Sequence, residues 1–423
     1  VKNILSDTTF TGLSQLILSL SQIILQIFIV RFTSQQAFGE FVTANAIENL
    51  IEIIFITRSS ELALQYVGKY WVAGDHIAAR ICMNRIIRLD WMINWSIYAF
   101  IIVFSILISQ VIKFNPIYLI GLGLQIPMQI GYGVYKSIFI SSSKIREQAV
   151  FEMSFSCTYI FLCLISVSWL GIPGLITAFV VSAFFKNCLA RIITDRWWLP
   201  VDQSIGILAE KKDLVNAELW WNFSMHSMLR NTFISAANQV DVLILTAFKG
   251  PESTAIYKIA RSLSSLPARV IAPIWSALRP RLMYAYHTGN SKQLLKLIVV
   301  PAAIMLGLLI LTLVPIYFFA DDLIVIMYGK SYVLSTLPFL ILLIGTWFYA
   351  AITAWFNFWI VISNLMQLGT LISGFLLVTT LIMGILFGSK SIVSMAIAVS
   401  VSMVMTSILC WLVVIKYLRP KNL

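Results

Sequence analysis

Apolar runs long enough to cross a bilayer, about 20 residues each, follow one another along the whole chain with short polar turns between them. The pattern predicts an all-α polytopic membrane protein of about twelve transmembrane helices, at 8–32, 38–64, 91–112, 117–139, 149–169, 174–193, 218–247, 254–280, 297–319, 333–358, 367–387 and 391–415. The second six repeat the polar pattern of the first. A gapless shift of 216 positions lays Thr11 on Ser227, Gln15 on Asn231, Ser19 on Ser235 and Gln22 on Asn238. The same shift lays Phe32 on Phe248, Phe41 on Tyr257 and Leu50 on Leu266. The first four pairs step by 4, 4 and 3 residues, which is one face of a helix. A polar stripe turned to lipid is costly, so it is expected to face protein or water. Duplicated halves with inward polar stripes predict two six-helix repeat lobes around a central cavity. The expected organisation is an N-lobe at 1–200, a cytoplasmic linker at 201–217 and a C-lobe at 218–423.

Intramembrane charge concentrates in three spans. Span 2 carries Asn45, Glu48, Asn49 and Glu52 within one arc of about 100°. Span 8 carries Lys258, Arg261, Ser265 and Arg269 within a similar arc, although Pro267 and Pro273 predict a bend there. Span 7 carries His226, Arg230 and Asp241 beside the Ser227–Asn238 stripe. Each charge at mid-depth costs about 2.5–3.5 kcal/mol on insertion scales, which makes these positions candidates for function. Helices 1, 2, 7 and 8 are therefore expected to line one polar chamber. Its first half supplies carboxylates and its second half supplies cations.

Arg230, Lys258, Arg261 and Arg269 form a wall suited to an anionic substrate such as a phosphate or pyrophosphate, because a desolvated guanidinium pairs bidentately with one. Gln15 and Asn231, superposed by the repeat, are further candidate substrate contacts. Glu48, Glu52 and Asp241 are candidates for ion coupling, since a carboxylate removed from water can carry a proton. Each residue also has a structural reading. The acids and bases can neutralise one another, Asp241 can be an interfacial residue, and the span 1 stripe can bond helix to helix.

Composition agrees with the pattern. The chain is 59% hydrophobic and 11% charged, with a mean hydropathy of +0.89, which a soluble domain cannot bury. No cleavable signal peptide is expected, because 6–32 is too long and lacks a small-residue cleavage site. The net charge of +12 alternates between loops. One set holds Arg80, Arg85, Arg88, Lys144, Arg191, Lys211, Lys212 and Arg281, with Lys2 and Lys421 at the termini, whereas the other holds Lys113, Lys249, Lys330 and Lys390. The alternation predicts that both termini are cytoplasmic, and it needs no nucleic-acid partner. The largest outer loop is expected at 320–332. Five scattered cysteines suggest neither a disulfide framework nor a metal site. No GxxxxGK[ST], HExxH or Gly-rich nucleotide loop occurs, His76, His226 and His287 stand alone, and an enzyme is not expected.

Three segments carry a family resemblance. They are KNILSDTTFTGLSQLILSLSQIILQIFIVRFTSQQAFGEFVTANA near the start, its repeated counterpart NQVDVLILTAFKGPESTAIYKIARSL, and LIVIMYGKSYVLSTLPFLIL at 323–342. On these the chain resembles Wzx-type polysaccharide flippases of the multidrug/oligosaccharidyl-lipid/polysaccharide (MOP) exporter superfamily. The resemblance implies a MATE-like fold in the bacterial inner membrane. It implies alternating-access transfer of an undecaprenyl-pyrophosphate-linked O-antigen-like repeat unit from the cytoplasmic to the periplasmic leaflet, with no cofactor. Its implied partners are that glycan, membrane lipids, and a polysaccharide polymerase and chain-length regulator. One departure is the 362–367 connection, which lacks the Lys or Arg residues of many relatives. A multidrug exporter of the same superfamily and a non-transporting subunit of a polysaccharide assembly complex are the alternatives.

Overall fold

The computed structural model describes residues 21–55, 59, 63–72, 74–141, 145–197, 217–266, 278, 281–282, 284–285, 288, 291–362 and 365–418. For the helical residues 217–228 it describes the backbone alone. The described chain is helical throughout, as the apolar pattern predicts. Six of its helices are long and apolar enough to cross a membrane, or seven if one bent pair is counted as a span. The protein is a multi-pass α-helical membrane protein.

The helices are α1 (Ser21–Phe32), α2 (Gln35–Phe55), α3 (Gly68–Val72), α4 (His76–Val111), α5 (Pro116–Gly123), α6 (Gln125–Met128) and α7 (Tyr132–Ser141). They continue as α8 (Ile145–Trp197), α9 (Ala217–Lys249), α10 (Pro251–Ser264), α11 (Ser291–Tyr328), α12 (Thr336–Ile362), α13 (Met366–Met383) and α14 (Ile392–Leu418). The break before α2 recurs one repeat later. Moving the first residue of α2 by 216 positions gives Pro251, the first residue of α10.

Several ends depart from the hydropathy pattern for physical reasons. α4 begins at His76 rather than near 91, because Asp75 caps it by accepting from the Ala78 N–H at 2.9 Å. Arg80, Arg85 and Arg88 lower hydropathy in its first turns without interrupting the helix. The expected 117–139 span is a bent pair, α5–α6 and α7, with an angle of 44°. Gly131 (φ 83°) supplies the left-handed residue at the break. Spans 5 and 6 are the two arms of α8, which reverse at Gly171 (φ 64°, ψ −140°). The outer loop expected at 320–332 is mostly helix, because α11 continues to Tyr328 through Asp321 and Asp322. Those acids end the apolar run but not the backbone ladder. The 362–367 connection does end a helix, with α12 closing at Ile362 and α13 opening at Met366. Of the linker expected at 201–217, residues 201–216 lie outside the described residues and Ala217 opens α9.

Two compact units emerge. The first holds 1–32 and 47–228, and the second holds 33–46 and 229–423. The first unit's core joins Ala79, Cys82, Met83 and Ile86 of α4 to Val134, Ile138 and Phe139 of α7 and to Ala190 of α8. The second unit's core centres on Trp355 and Phe356 of α12 and Tyr257 of α10, all nearly inaccessible. Trp355 packs edge-on against Trp411 at 5.2 Å. Gly345 lets α12 approach Ser400 of α14, where a methyl would stand 2.7 Å from the Ser400 backbone. Thr346 then donates to the Ser264 carbonyl at 2.8 Å, fixing the end of α10 against α12. Apolar faces such as Trp169 (84% exposed) and Val111 (75% exposed) are left outside this packing, as lipid-facing positions require.

Candidate functional site

The candidate residues fall into two groups. In the second unit, α9 and α10 run consecutively around the Gly250 break (φ 84°), with Pro251 setting the first turn of α10. This places Asp241 of α9 against Tyr257 and Arg261 of α10. Asp241 is fully buried and accepts from the Tyr257 hydroxyl at 2.6 Å. The same carboxylate oxygen, Oδ2, lies 3.4 Å from Arg261 Nε. Arg261 also donates to Asn238 Oδ1 at 3.1 Å and reaches Met403 Sδ at 3.9 Å. Its side chain is 12% exposed, and it bridges a buried acid and an exposed amide.

Arg230 enters the same unit three turns before Asp241. It is half-buried, within electrostatic reach of Tyr349 on α12 and Cys410 on α14. Tyr349 is in electrostatic reach of both Arg230 and Arg261. Gly369 on α13 makes room for the arginine stem, since a Cβ there would stand 3.2 Å from Arg230 Cδ. Lys258, half-buried, sits one turn before Arg261 on α10, and Asn231, also half-buried, follows Arg230 on α9. The structure thus brings Arg230, Arg261 and Asp241 into one interior, with Lys258 and Asn231 on its helices. Gln15 and Arg269 lie outside the described residues. So do the Thr11 and Ser19 members of the stripe and the His226 and Ser227 side chains.

The acidic group lies on the part of α2 that belongs to the first unit. Glu48 is 4% exposed, and its Oε1 has no hydrogen-bond partner among the described residues. Glu52, one turn on, accepts from the Gln129 amide at 3.1 Å. Gln129 occupies the bend between α6 and α7, which aims its amide at Glu52. A buried carboxylate oxygen without a donor is costly, which sets Glu48 apart from Glu52. No cluster of three metal-ligating side chains occurs among the described residues.

Sequence reasoning missed Tyr257, Tyr349, Gly369 and Gln129. Tyr257 carries a readable signal, because its repeat counterpart is Phe41 and the hydroxyl is the difference between the halves. Asp241 and Arg261 differ from their counterparts, Leu25 and Asn45, in the same way. The buried network therefore belongs to the second repeat alone.

Comparisons with known proteins agree with this architecture. A family model described as polysaccharide biosynthesis protein matches residues 85–285. No curated protein is matched by sequence. Among solved structures, the chain is similar to an inward-facing multidrug resistance MATE family transporter of the MOP superfamily. That match has a TM-score of 0.77 and 13% identity, over 97% of this chain and 100% of that one. It is also similar to a mutant of the VcmN MATE transporter of Vibrio cholerae, with a TM-score of 0.66 and 14% identity, over 100% of this chain and 97% of that one. A third is a MOP superfamily transporter of Pyrococcus furiosus, described by a reversed polarity of its binding pocket. It matches with a TM-score of 0.65 and 13% identity, over 97% of this chain and 95% of that one. The resemblance read from the sequence stands: the family match concerns polysaccharide biosynthesis, and the fold is that of MOP superfamily transporters.

Proposed function

We propose that this protein is a transporter that flips a polyprenyl-pyrophosphate-linked oligosaccharide, an O-antigen-like repeat unit, across the bacterial inner membrane by alternating access. The observation that carries the reading is that Arg230 and Arg261 both lie within electrostatic reach of Tyr349 in the second unit, with Lys258 one turn before Arg261 on α10. In an apolar bundle an anion gains most from pairing with guanidinium and ammonium groups such as these. A pyrophosphate joined to a sugar supplies such an anion. The match over 85–285 to a polysaccharide biosynthesis family supports a sugar-containing substrate, and the MOP fold supports alternating access. In this reading Arg230 and Lys258 meet the anionic head, Arg261 is held by Asp241 as part of the wall, and Arg269, Gln15 and Asn231 extend it. Glu48 and Glu52 carry the coupling proton or cation. Both termini lie in the cytoplasm, and a polymerase and chain-length regulator receive the product on the far side.

A multidrug exporter is the second reading, favoured by the names of the similar solved transporters and by the buried acid of Glu48. The cation-rich second unit weighs against it, because a cationic drug would meet like charge. The test uses vesicles containing the purified protein and a fluorescent polyprenyl-pyrophosphate glycan on one leaflet. Transfer that is lost in Arg230→Gln and unaffected by cationic drugs supports the flippase. Drug accumulation without glycan transfer overturns it.

A further inference from the structure

The first unit holds a cavity of about 390 Å³ between the two arms of α8, within the range of small-ligand sites, about 300–1,000 Å³. None of the charged candidates above lines it. Its walls are Phe151, Phe155 and Leu162 on the first arm and Phe185 and Leu189 on the returning arm. Phe185 (55% exposed) and Leu189 (45% exposed) form its mouth. Ser182, also in the wall, is 2% exposed, and its Oγ has no hydrogen-bond partner among the described residues. A helix serine ordinarily returns its hydroxyl to a carbonyl one turn back, as Ser156 does to Glu152 at 2.6 Å. Ser182 leaves a donor in an apolar chamber instead, so a bound molecule with an acceptor in its apolar part would satisfy it.

The charge beside the cavity is specific. Lys186, one turn from Ser182, lies 5.5 Å from the centre of the Phe155 ring that lines the wall. Its ammonium is 2.8 Å from Glu152 Oε2. Glu152 Oε1 accepts from the Tyr132 hydroxyl and lies 3.5 Å from Lys136, whose side chain is 42% exposed. Two ammonium groups thus share one carboxylate, with both its oxygens occupied. Among the described residues this cluster holds two cations to one acid, and Lys136 is its exposed member. The cavity therefore joins an apolar slot with an internal donor to a cationic cluster beside its wall.

We propose that this cavity is a binding site for a diacyl anionic phospholipid. One acyl chain fills the slot, its ester carbonyl accepts from Ser182, and the phosphate sits against the Lys186 and Lys136 pair, Lys186 being one turn from Ser182. Basic pockets between membrane helices recognise anionic headgroups in this way. A zwitterionic phospholipid would bring a cation to this cluster, where Glu152 is already engaged. A polyprenyl phosphate has no acceptor along its hydrocarbon chain and would leave Ser182 unsatisfied. The site is distinct from the second unit's cations and does not depend on the transport reading.

The test is native mass spectrometry of the full-length protein in detergent with dioleoylphosphatidylglycerol, dioleoylphosphatidylcholine or undecaprenyl phosphate. The expected result is one retained phosphatidylglycerol at a lipid concentration at least tenfold below that needed for either other lipid. Thr158→Phe fills the cavity from an exposed position in its wall and should weaken that binding tenfold or more. Ser154→Leu, also exposed in the wall, serves the same purpose if the first variant fails to fold. Lys136→Gln should erase most of the preference over phosphatidylcholine. Equal binding of the two phospholipids, preferential binding of undecaprenyl phosphate, or undiminished binding in a folded cavity-filling variant would each overturn the proposal.

Discussion

The α-carbon of Gly39 rests against the backbone carbonyl of Pro251, so closely that a Cβ on Gly39 would stand 1.9 Å from that oxygen. The two residues are 212 positions apart (251 less 39) yet occupy the same compact unit. Gly39 is in the second turn of α2, and Pro251 opens α10, the repeat counterpart of α2. A side-chain ladder continues the contact. Thr43 and Thr246 hydroxyls are 3.0 Å apart, and Thr246 and Thr254 hydroxyls are 2.9 Å apart, all three fully buried. Gln35 adds a bond to the Glu252 carbonyl at 3.4 Å. Residues 33–46 are thereby fastened to the second unit, although they precede most of the first unit in sequence.

Gly39→Ala should separate this contact, since the clashing atom is backbone and cannot rotate away. The expected cost is at the upper end of the about 1–3 kcal/mol typical of overpacking. Differential scanning fluorimetry of the purified protein should show a lowered Tm. Ala37→Ser, on the same helix nearly two turns before Thr43, should leave Tm within error and serves as the control. An unchanged Tm for Gly39→Ala would show that residues 33–46 do not pack on Pro251.

Asp241→Asn should be among the most damaging single changes in the second unit. It leaves Arg261 without its carboxylate in an apolar interior, and breaking such a buried pair costs about 3–5 kcal/mol. The triple change Asp241→Leu, Tyr257→Phe, Arg261→Asn rewrites the network as its counterparts Leu25, Phe41 and Asn45. It removes both charges together and should restore membrane protein level relative to Asp241→Asn. Glycan export by the triple variant then reads function separately from folding. Normal export would take Arg261 out of the transport mechanism.

The sequence carried the helical architecture because a bilayer imposes length and apolarity on each span. It also carried the repeat, since the α2 and α10 start positions follow the 216-residue shift. Helix ends were less legible where charge and helicity part company. Asp321 and Asp322 end an apolar run inside α11, and the arginines of α4 sit within a continuous helix. Arg261 and Asp241 were both visible as intramembrane charges, but their pairing depends on the turn at Gly250. Gly369 gives no sign in the sequence that it accommodates Arg230, because that contact joins α9 to α13.

Glu48→Gln should preserve the fold, because the lost oxygen has no donor among the described residues and the replacement is nearly isosteric. Membrane protein level is expected to remain within a factor of two of the parent. If Glu48 carries the coupling proton, export should lose its dependence on the proton gradient, read as equal glycan transfer in vesicles with and without an imposed pH difference. Retained gradient dependence would remove Glu48 from coupling. Glu52→Gln tests its neighbour, whose carboxylate accepts from Gln129, and should lower stability more than Glu48→Gln because that hydrogen bond weakens.

The last prediction concerns Arg230 and the glycine beside it. A methyl at position 369 would meet Arg230 Cδ at 3.2 Å and Ile360 Cδ1 at 3.1 Å, so Gly369→Ala should shift the guanidinium by a few tenths of an ångström without unfolding α13. Misplacing a substrate-contacting cation on this scale is expected to lower glycan transfer about tenfold. Arg230→Gln should lower it further, and Arg230→Lys should retain part of it as a point charge without the bidentate fork. The decisive comparison is the double variant. If Gly369 acts through Arg230, then Gly369→Ala added to Arg230→Gln should cost nothing more, because coupled sites are not additive. Transfer rates in vesicles, normalised to inserted protein, supply all four corners of the cycle. Fully additive losses would mean that Gly369 acts through Ile360 and the α12–α13 packing, and would free the arginine's position from any dependence on that glycine.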